Sequence, residues 1–245
     1  QACGETGAGR MLEALDIADA VDAFLAPKTL TGVRVLMTAG PTFEPIDAVR
    51  GITNRSSGKM GYAIARAAMG AGAKVTLVSG PSSQSVPAGA QITSVETAGE
   101  MFEAVKRHAA QADIFIGVAA VADYRVETPN EHKIKKTEDE QLTLRLVPNP
   151  DILGWVASQP QPPFTVGFAA ESRNVEAYAD EKRRRKKINV IAANLAQAAI
   201  GADDNEVMLL DDAGTHKLTR APKETVARDI VAHVARLYNK ARSRT

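Results

Sequence analysis

The stretch that decides the fold is VRVLMTAGP, residues 33–41, a short apolar run that ends at Gly40 and Pro41. Apolar runs of this length between turn residues are typical of strands that are buried on both faces. Four later runs, separated by segments with helical character, look the same: KVTLVSG (74–80), DIFIGVAAVA (113–122), FTVGFAAE (164–171) and INVIAAN (188–194). We therefore predict an α/β fold with a doubly wound, mostly parallel, Rossmann-like sheet covered by helices on both faces.

The segments around these strands predict helices and one hairpin. GYAIARAAM (61–69) reads as a helix with Ser56 and Ser57 as possible caps, and TAGEMFEAVKRHAAQ (97–111) reads as another. Near the end, residues 206–221 predict a hairpin that turns at 212–214. A final helix is indicated by apolar residues at helical spacing, Val226, Ile230, Val234 and Leu237.

The first 30 residues differ in character from the rest. Residues 1–11 are Gly-rich, and their apolar residues show neither the spacing of a strand nor that of a helix. Residues 11–27 predict an amphipathic helix that ends at Pro27. We place a domain boundary near Thr31, which divides the chain into residues 1–30 and 31–245. A chain of 245 residues suits one large α/β domain with a short appendage.

Composition narrows the class of protein. The net charge of +1 does not indicate a large footprint for nucleic acid, although the run KRRRKK at 182–187 could form a local basic patch. No apolar run approaches the roughly 18 residues that cross a bilayer, and no secretion signal begins the chain, so we expect a cytoplasmic protein without a membrane partner. Cys3 is the only cysteine, which excludes an internal disulfide.

Ligands of open α/β sheets bind beyond the carboxyl ends of the strands. After the first strand, the segment 38–61 is too long for the glycine fingerprint of an NAD-binding turn, which disfavours an oxidoreductase. Ser57 and Gly58 instead stand at a helix start, where backbone N–H groups favour a phosphate and Lys59 could add positive charge. A capped helix with an exposed Lys59 is an equally good interpretation of that segment.

Three further segments carry polar groups near strand ends. Asp123 follows the third strand, where it could accept hydroxyl hydrogen bonds or simply cap a turn. Lys133 lies in the basic segment NEHKIKK (130–136), which could close over a polyphosphate or be solvated. If YADEKRRRKK is helical, Lys182 and Lys186 lie one turn apart on one face and can bind successive phosphates. Together these groups favour a nucleoside triphosphate or a phosphorylated metabolite as the ligand.

Six motifs in order resemble one family: TAGPTFEPIDAVRGITNRSSGKMGYAIA, IGVAAVADYR, KIKK, VPNPDIL, VGFAAES and the Lys-x-x-x-Lys of KRRRK. They are similar to the synthetase half of the bacterial bifunctional phosphopantothenoylcysteine synthetase/decarboxylase, over residues 31 to about 240. One departure is Phe43, where the family usually carries a basic residue.

The resemblance implies a ligation in two steps. CTP activates the carboxylate of 4′-phosphopantothenate as an acyl-cytidylate, and the amine of L-cysteine then displaces CMP, with Mg²⁺ as the accompanying cation. The resemblance assigns catalysis to Lys133 and Asn54. It assigns CTP contacts to Gly117, Val118, Ala119, Asp123, Lys133, Pro150, Asp151, Ile152, Leu153, Phe168, Lys182 and Lys186.

The resemblance also implies that residues 1–30 are the closing segment of the flavin-dependent decarboxylase half and the linker that follows it. Cys3 matches the proton donor of that domain, but we expect no FMN and no decarboxylase activity here because the flavin pocket lies in the missing part. The family implies a homodimer. Two alternatives of other classes stay open at this point: a nucleotide-binding oxidoreductase, and a nucleic-acid-binding module that uses KRRRKK.

Overall fold

The computed structural model of the chain describes residue 11 and residues 14–136, 141–171, 173–195 and 202–243. The helices are α1 (Ala14–Leu25), α2 (Lys59–Gly70), α3 (Ala98–Ala109), α4 (Ile152–Ala157), α5 (Val175–Lys186) and α6 (Lys223–Arg242). The strands are β1 (Arg34–Ala39), β2 (Phe43–Pro45), β3 (Gly51–Thr53), β4 (Lys74–Ser79), β5 (Gln91–Ser94), β6 (Ile114–Gly117), β7 (Tyr124–Val126), β8 (Leu146–Pro148), β9 (Phe164–Glu171), β10 (Val190–Leu195), β11 (Asp204–Asp211) and β12 (Gly214–Pro222).

Within the described residues, the main sheet has eight strands in the order β12-β11-β10-β9-β6-β1-β4-β5. The six strands from β10 to β5 are parallel, whereas β11 and β12 are antiparallel and form one edge. In order of appearance along the chain, the parallel strands lie 3-2-1-4-5-6 across the sheet. This is the doubly wound Rossmann order, and its switch point lies between β1 and β6. The predicted fold class is confirmed.

The sheet is covered on both faces because neighbouring residues of each strand point to opposite sides. Val35 and Met37 of β1 pack in one apolar cluster with α2 and α6. Leu36, between them, packs in a second cluster with Met101 of α3 and Ile152 of α4. A third cluster lies between α5 and the strands β9, β10 and β11. Burial on both faces explains why the strand sequences do not alternate.

The five predicted strands appear as β1, β4, β6, β9 and β10, and the predicted hairpin appears as β11 and β12. Strand β5 was not predicted, because its sequence QITS is polar and mostly exposed at the edge of the sheet. Two small sheets, β2–β3 and β7–β8, were also missed. Their strands are three residues long, which is too short for a period of two to be recognised.

The prediction that Ser56 or Ser57 caps α2 is wrong. The N-cap is Gly58, which has a φ of 79° and makes no side-chain cap hydrogen bond. The hydroxyls of Ser56 and Ser57 accept long hydrogen bonds from the N–H groups of Gly58 and Lys59, at 3.3 and 3.4 Å. A Cβ at position 58 would lie 2.9 Å from Ser82 Oγ, so both the left-handed backbone and the lack of space favour glycine.

Helix α1 confirms the predicted helix before Pro27, and it lies against α2. The boundary near Thr31 stays a prediction. Cys3 lies outside the described residues. No helix within the described ranges is both long and apolar enough to cross a membrane.

Candidate active site

A cavity of about 600 Å³ opens at the carboxyl ends of the parallel strands, where the switch point predicts a ligand. This volume is typical of pockets for small molecules and cofactors. Its walls come from the segment between β3 and α2, the chain after β6, the start of α4, the end of β9 and one face of α5. The beginnings of β11 and α6 close the remaining side.

The floor of the cavity is made by chain that continues β1 and β6 beyond their ends. Val118 N donates to Thr38 O at 3.2 Å and Ala120 N donates to Gly40 O at 2.9 Å. Thr42 N donates back to Ala120 O at 3.2 Å. This pairing holds four predicted contact residues along the cavity wall, namely Gly117, Val118, Ala119 and Asp123.

The loop before α4 is attached to that floor by Asn149. Its side-chain Nδ2 donates to Ala122 O at 2.9 Å, and its backbone N–H donates to Asp123 O at 2.8 Å. Asp151 then caps α4 by accepting from Gly154 N at 3.0 Å. The structure thereby brings the predicted residues Pro150, Asp151, Ile152 and Leu153 to the cavity.

Helix α5 directs two lysines into the cavity, as their spacing of four residues predicts. Lys182 Nζ donates to the carbonyl of Phe168 at 3.1 Å. Burial, followed by the neighbouring charge of Lys186, lowers the pKa of Lys182. Lys186 Nζ lies 2.6 Å from Asp151 Oδ1. Burial alone would raise the pKa of Asp151, but the hydrogen bond from Lys186 and that from Gly154 N bring the pKa below its usual value.

The remaining basic residues of KRRRKK do not form one basic face. Arg183 is buried and forms salt bridges to Asp212 at 2.7 Å and to Asp180 at 3.4 Å. Arg184 pairs with Asp180 at 2.9 Å. Because the run is divided between the cavity, the interior and solvent, its geometry argues against the nucleic-acid-binding alternative.

Asn54 lies at the rim of the cavity, with Ser57 and Gly58 beside it. Its Nδ2 donates to Ala120 O at 2.9 Å, which fixes the amide against the floor. An amide has a second N–H that can still be offered to a ligand.

Lys133 is the one predicted site residue that does not line the cavity. It is exposed, and its segment is attached at Ile134 instead. Asp47 Oδ2 accepts from Ile134 N at 3.1 Å and Arg50 Nη2 donates to Ile134 O at 2.9 Å. The hydrogen bond from Arg50 holds the pKa of Asp47 far below its usual range, so this anchor is ionised at neutral pH.

Sequence reasoning missed several polar residues of the cavity, above all Lys223. Its side chain is buried, its Nζ donates to Ala202 O, and burial lowers its pKa. Lys59, which the sequence left either beside a phosphate or in solvent, does line the cavity and lies 2.5 Å from Asp203, whose pKa it lowers. Lys223 is the first residue of α6, where a positive charge opposes the helix dipole. This unfavourable position is a sequence feature that could have indicated a functional role for Lys223. The other missed lining residues include Arg55, Asn149, Asn194 and Asn205.

Residues 30–238 match the family described as the DNA/pantothenate metabolism flavoprotein C-terminal domain. The chain belongs to this family. The resemblance inferred from the six motifs is therefore confirmed, and the cavity is the candidate active site of a member of the family.

Relatives in the family are longer than this chain. The coenzyme A biosynthesis bifunctional protein CoaBC of Vibrio cholerae is 48% identical over 93% of this chain and 58% of its own length. The protein of the same name from Escherichia coli K12 is 45% identical over 100% of this chain and 62% of its own length. The chain thus spans about three fifths of these curated relatives.

Solved structures agree with the family assignment. A crystal structure of the C-terminal domain of CoaBC has a TM-score of 0.75 and 39% identity, and it covers 87% of this chain and 99% of that domain. A mutant of Cab2 in complex with phosphopantothenate-cysteine has a TM-score of 0.72 over 94% of this chain and 95% of its own. At 18% identity, the Cab2 structure shows a shared fold.

Lys182→Met tests whether the partly buried ammonium group of Lys182 binds an anionic ligand. The lowered pKa means that the unfolded chain holds this proton more tightly than the folded protein, so the charge destabilises the ligand-free fold at neutral pH. We expect the urea midpoint of the variant at pH 7 to stay equal or rise. Affinity for tripolyphosphate, measured by calorimetry, should fall by at least about tenfold, because a charged hydrogen bond contributes about 1.5–3 kcal/mol.

Arg185→Met is the matched control, since it removes the same charge from an exposed position of α5 outside the cavity. It should change tripolyphosphate affinity by less than about twofold, as expected of a screened surface charge. Equal losses in the two variants would mean that only the overall charge of the helix matters.

Proposed function

We propose that this chain ligates 4′-phosphopantothenate to L-cysteine with CTP, giving 4′-phosphopantothenoyl-L-cysteine, CMP and pyrophosphate. The names of the relatives support a role in coenzyme A biosynthesis. The ligand of the Cab2 mutant, phosphopantothenate-cysteine, supports the identity of the product. The choice of CTP rests on the motifs that the chain shares with the bacterial family.

The cationic wall of the cavity is the observation that carries this proposal. Lys182 and Lys186 project from one face of α5 beside the switch point, and Asp123 stands at the end of the chain segment that follows β6. Lysines at such a place suit a triphosphate, whose oxygens can replace the carbonyl and carboxylate that now bind the two ammonium groups. The cations that line the cavity are Arg55, Lys59, Lys182, Lys186 and Lys223.

In the first step, a carboxylate oxygen of 4′-phosphopantothenate attacks the α-phosphorus of CTP, and the bond to pyrophosphate breaks. Two anions must approach each other, so ammonium groups that bind the phosphates lower the barrier. Lys182 and Lys186 would hold the β and γ phosphates. We propose that the segment of Lys133 moves from its anchor at Asp47 towards the cavity, so that Lys133 binds the α-phosphate.

Mg²⁺ would neutralise the negative charge of the triphosphate that the lysines do not neutralise. It prefers oxygen ligands and keeps several waters, and the exposed carboxylate of Asp123 offers an oxygen at the cavity wall. In this proposal the ion is bound mainly through phosphate oxygens and water.

In the second step, the amine of cysteine attacks the acyl carbon of the acyl-cytidylate, the bond to CMP breaks, and the amine releases its proton to solvent. Negative charge develops on the carbonyl oxygen before CMP leaves. A neutral amide N–H can stabilise that oxygen without retaining the charged leaving group. Asn54 suits this role because its hydrogen bond to Ala120 O holds the amide still while a second N–H stays available.

The direct test supplies purified protein with 4′-phosphopantothenate, Mg²⁺ and either CTP or ATP, with and without cysteine. We expect pyrophosphate release with CTP, and a product with the mass of the cysteine amide only when cysteine is present. Activity with ATP alone would overturn the nucleotide but keep the ligase. Failure with both nucleotides, from protein shown to be folded, would overturn the proposed reaction.

Asn54→Ala separates the two steps. Loss of one donor to an oxyanion slows a step by roughly 10²–10³-fold, so amide formation should slow by this factor while the first release of pyrophosphate is less affected. Single-turnover measurements should then show the acyl-cytidylate accumulating. The control is Gln111→Ala, which changes an exposed amide outside the cavity and should leave both steps unchanged. Equal slowing of both steps would instead make Asn54 a residue for binding.

We also propose that the domain forms a homodimer through its two small sheets. Strand β2 lies beside β7, and apolar side chains in and near these sheets are exposed: Val49 at 62%, Tyr124 at 54% and Leu146 at 45%. Exposed apolar groups that lie together are typical of interfaces. Light scattering should give twice the chain mass of 26.0 kDa, and the mass of a single chain would contradict the proposal.

In the full-length protein, the proposed partner of this domain is a decarboxylase domain. The bifunctional names of the relatives and their greater length support this. Residues 1–30 would then be the end of that domain and its linker, and the FMN chemistry and the role of Cys3 would belong to it.

A further inference from the structure

At the far end of β11 from the cavity, two imidazoles and a carboxylate meet at one point. Asp211 ends β11, His216 lies on β12 and His233 lies on α6. Their ligand atoms all lie within 4.8 Å of one another. Asn205, at the start of β11, lines the cavity, and Asp211 lies six positions further along the extended strand, at a distance of roughly 20 Å. The cluster is therefore separate from the candidate active site.

Both imidazoles are directed at the same oxygen. His233 Nε2 lies 2.8 Å from Asp211 Oδ2, and His216 Nε2 lies 3.2 Å from it. The other carboxylate oxygen, Oδ1, accepts from Ala213 N at 2.6 Å, which fixes the carboxylate in the turn. The imidazole rings are 4.7 Å apart between centroids.

One of these nitrogens is buried without a hydrogen bond. His216 Nε2 has no hydrogen-bond partner among the described residues, because its approach to Asp211 does not have hydrogen-bond geometry. An unpartnered buried nitrogen is unfavourable, since it has lost its bond to water. Its lone pair, next to a second imidazole and a carboxylate, is what a cation would use.

We propose that Asp211, His216 and His233 bind a zinc ion that joins the β11–β12 hairpin to α6. Two imidazoles and one carboxylate, with water in the fourth position, are a ligand set that Zn²⁺ takes in proteins. Magnesium and calcium prefer oxygen ligands, so the two imidazoles select a transition metal instead.

The separations fit this ion after small movements. Zinc binds nitrogen at about 2.0–2.1 Å, which places tetrahedral ligand atoms roughly 3.3 Å apart. The two contacts to Asp211 Oδ2 are close to that spacing. Asp211 and His233 are buried with side chains 4% and 10% exposed, whereas the side chain of His216 is 37% exposed and leaves a route for the ion.

The hydrogen bonds around the cluster need one rearrangement for an ion to bind. Hydrogen bonds from Ala213 N and His233 Nε2 hold the carboxylate of Asp211 in place. Arg236 Nη2 lies 3.1 Å from His233 Nδ1 and can only donate, so the proton of that ring lies on Nε2 and must move to Nδ1 when an ion binds. Arg236 is exposed, so it can turn to solvent when Nδ1 takes the proton.

The test is a titration of the whole untagged chain with Co²⁺, then displacement by Zn²⁺. A Cys3→Ser background removes the thiol as a competing ligand. We expect one Co²⁺ per chain, with the visible absorption of a tetrahedral nitrogen and oxygen site, and full displacement by Zn²⁺. In His216→Gln the affinity should fall by more than about tenfold, since even an outer-shell partner of a metal contributes 10- to 100-fold.

His108→Gln is the matched control, because it removes a histidine of α3 that is not in the cluster. It should bind Co²⁺ as the parent does. Thermal unfolding gives a second readout: Zn²⁺ should raise the Tm of the parent and of His108→Gln, but not that of His216→Gln. The metal-free Tm of each variant shows that it is folded.

Two outcomes would overturn the proposal. One is equal Co²⁺ affinity in His216→Gln and His108→Gln, which would mean that the metal binds elsewhere. The other is binding to the parent only at millimolar metal, without saturation at one ion per chain. Ligase activity is not the readout, so failure here leaves the proposed reaction untouched.

Discussion

The pairing of β1 with β6 is the constraint on which the rest of this structure depends. Strand β1 lies at the centre of the parallel strands, and the chain builds outward from it in both directions, first to β4 and β5 and then to β6, β9 and β10. Right-handed crossovers in opposite directions place helices on opposite faces, so a crevice opens where the direction changes. Backbone hydrogen bonds between residues 38–42 and 118–120 extend the pairing beyond the sheet and give that crevice a fixed floor.

The crevice holds charges that the fold itself does not need. Burial lowers the pKa of both Lys182 and Lys223, as expected of ammonium groups that are partly removed from water. Lys186 is different, because Asp151 neutralises it while also capping α4. Such an arrangement is typical of a binding site, where groups are kept ready for a ligand at the expense of stability.

The antiparallel edge connects this site to the opposite end of the sheet. Strand β11 begins beside the cavity at Asn205 and ends at Asp211, and α6 begins with Lys223 and passes His233. Ten residues of helix cover roughly 15 Å. An ion held by Asp211, His216 and His233 would therefore brace the helix and the strand that together close one side of the cavity.

The sequence by itself determined the fold class, the central strands and much of the site. Buried strands need apolar runs, and the spacing of Lys182 and Lys186 is enough to place both on one face of a helix. Residues that follow strands, such as Asp123, could be predicted because parallel strands end at one edge.

The tertiary structure alone decided the rest. It brought Lys223 to the cavity, more than 100 residues along the chain from Lys59, and no pattern of neighbouring residues predicts that contact. The tertiary structure also shows that the segment of Lys133 is bound to Asp47 and that Gly58 is the N-cap of α2. In each case the outcome depends on contacts between segments far apart in sequence, such as the closeness of Gly58 to Ser82 and Gly40, which no window of neighbouring residues contains.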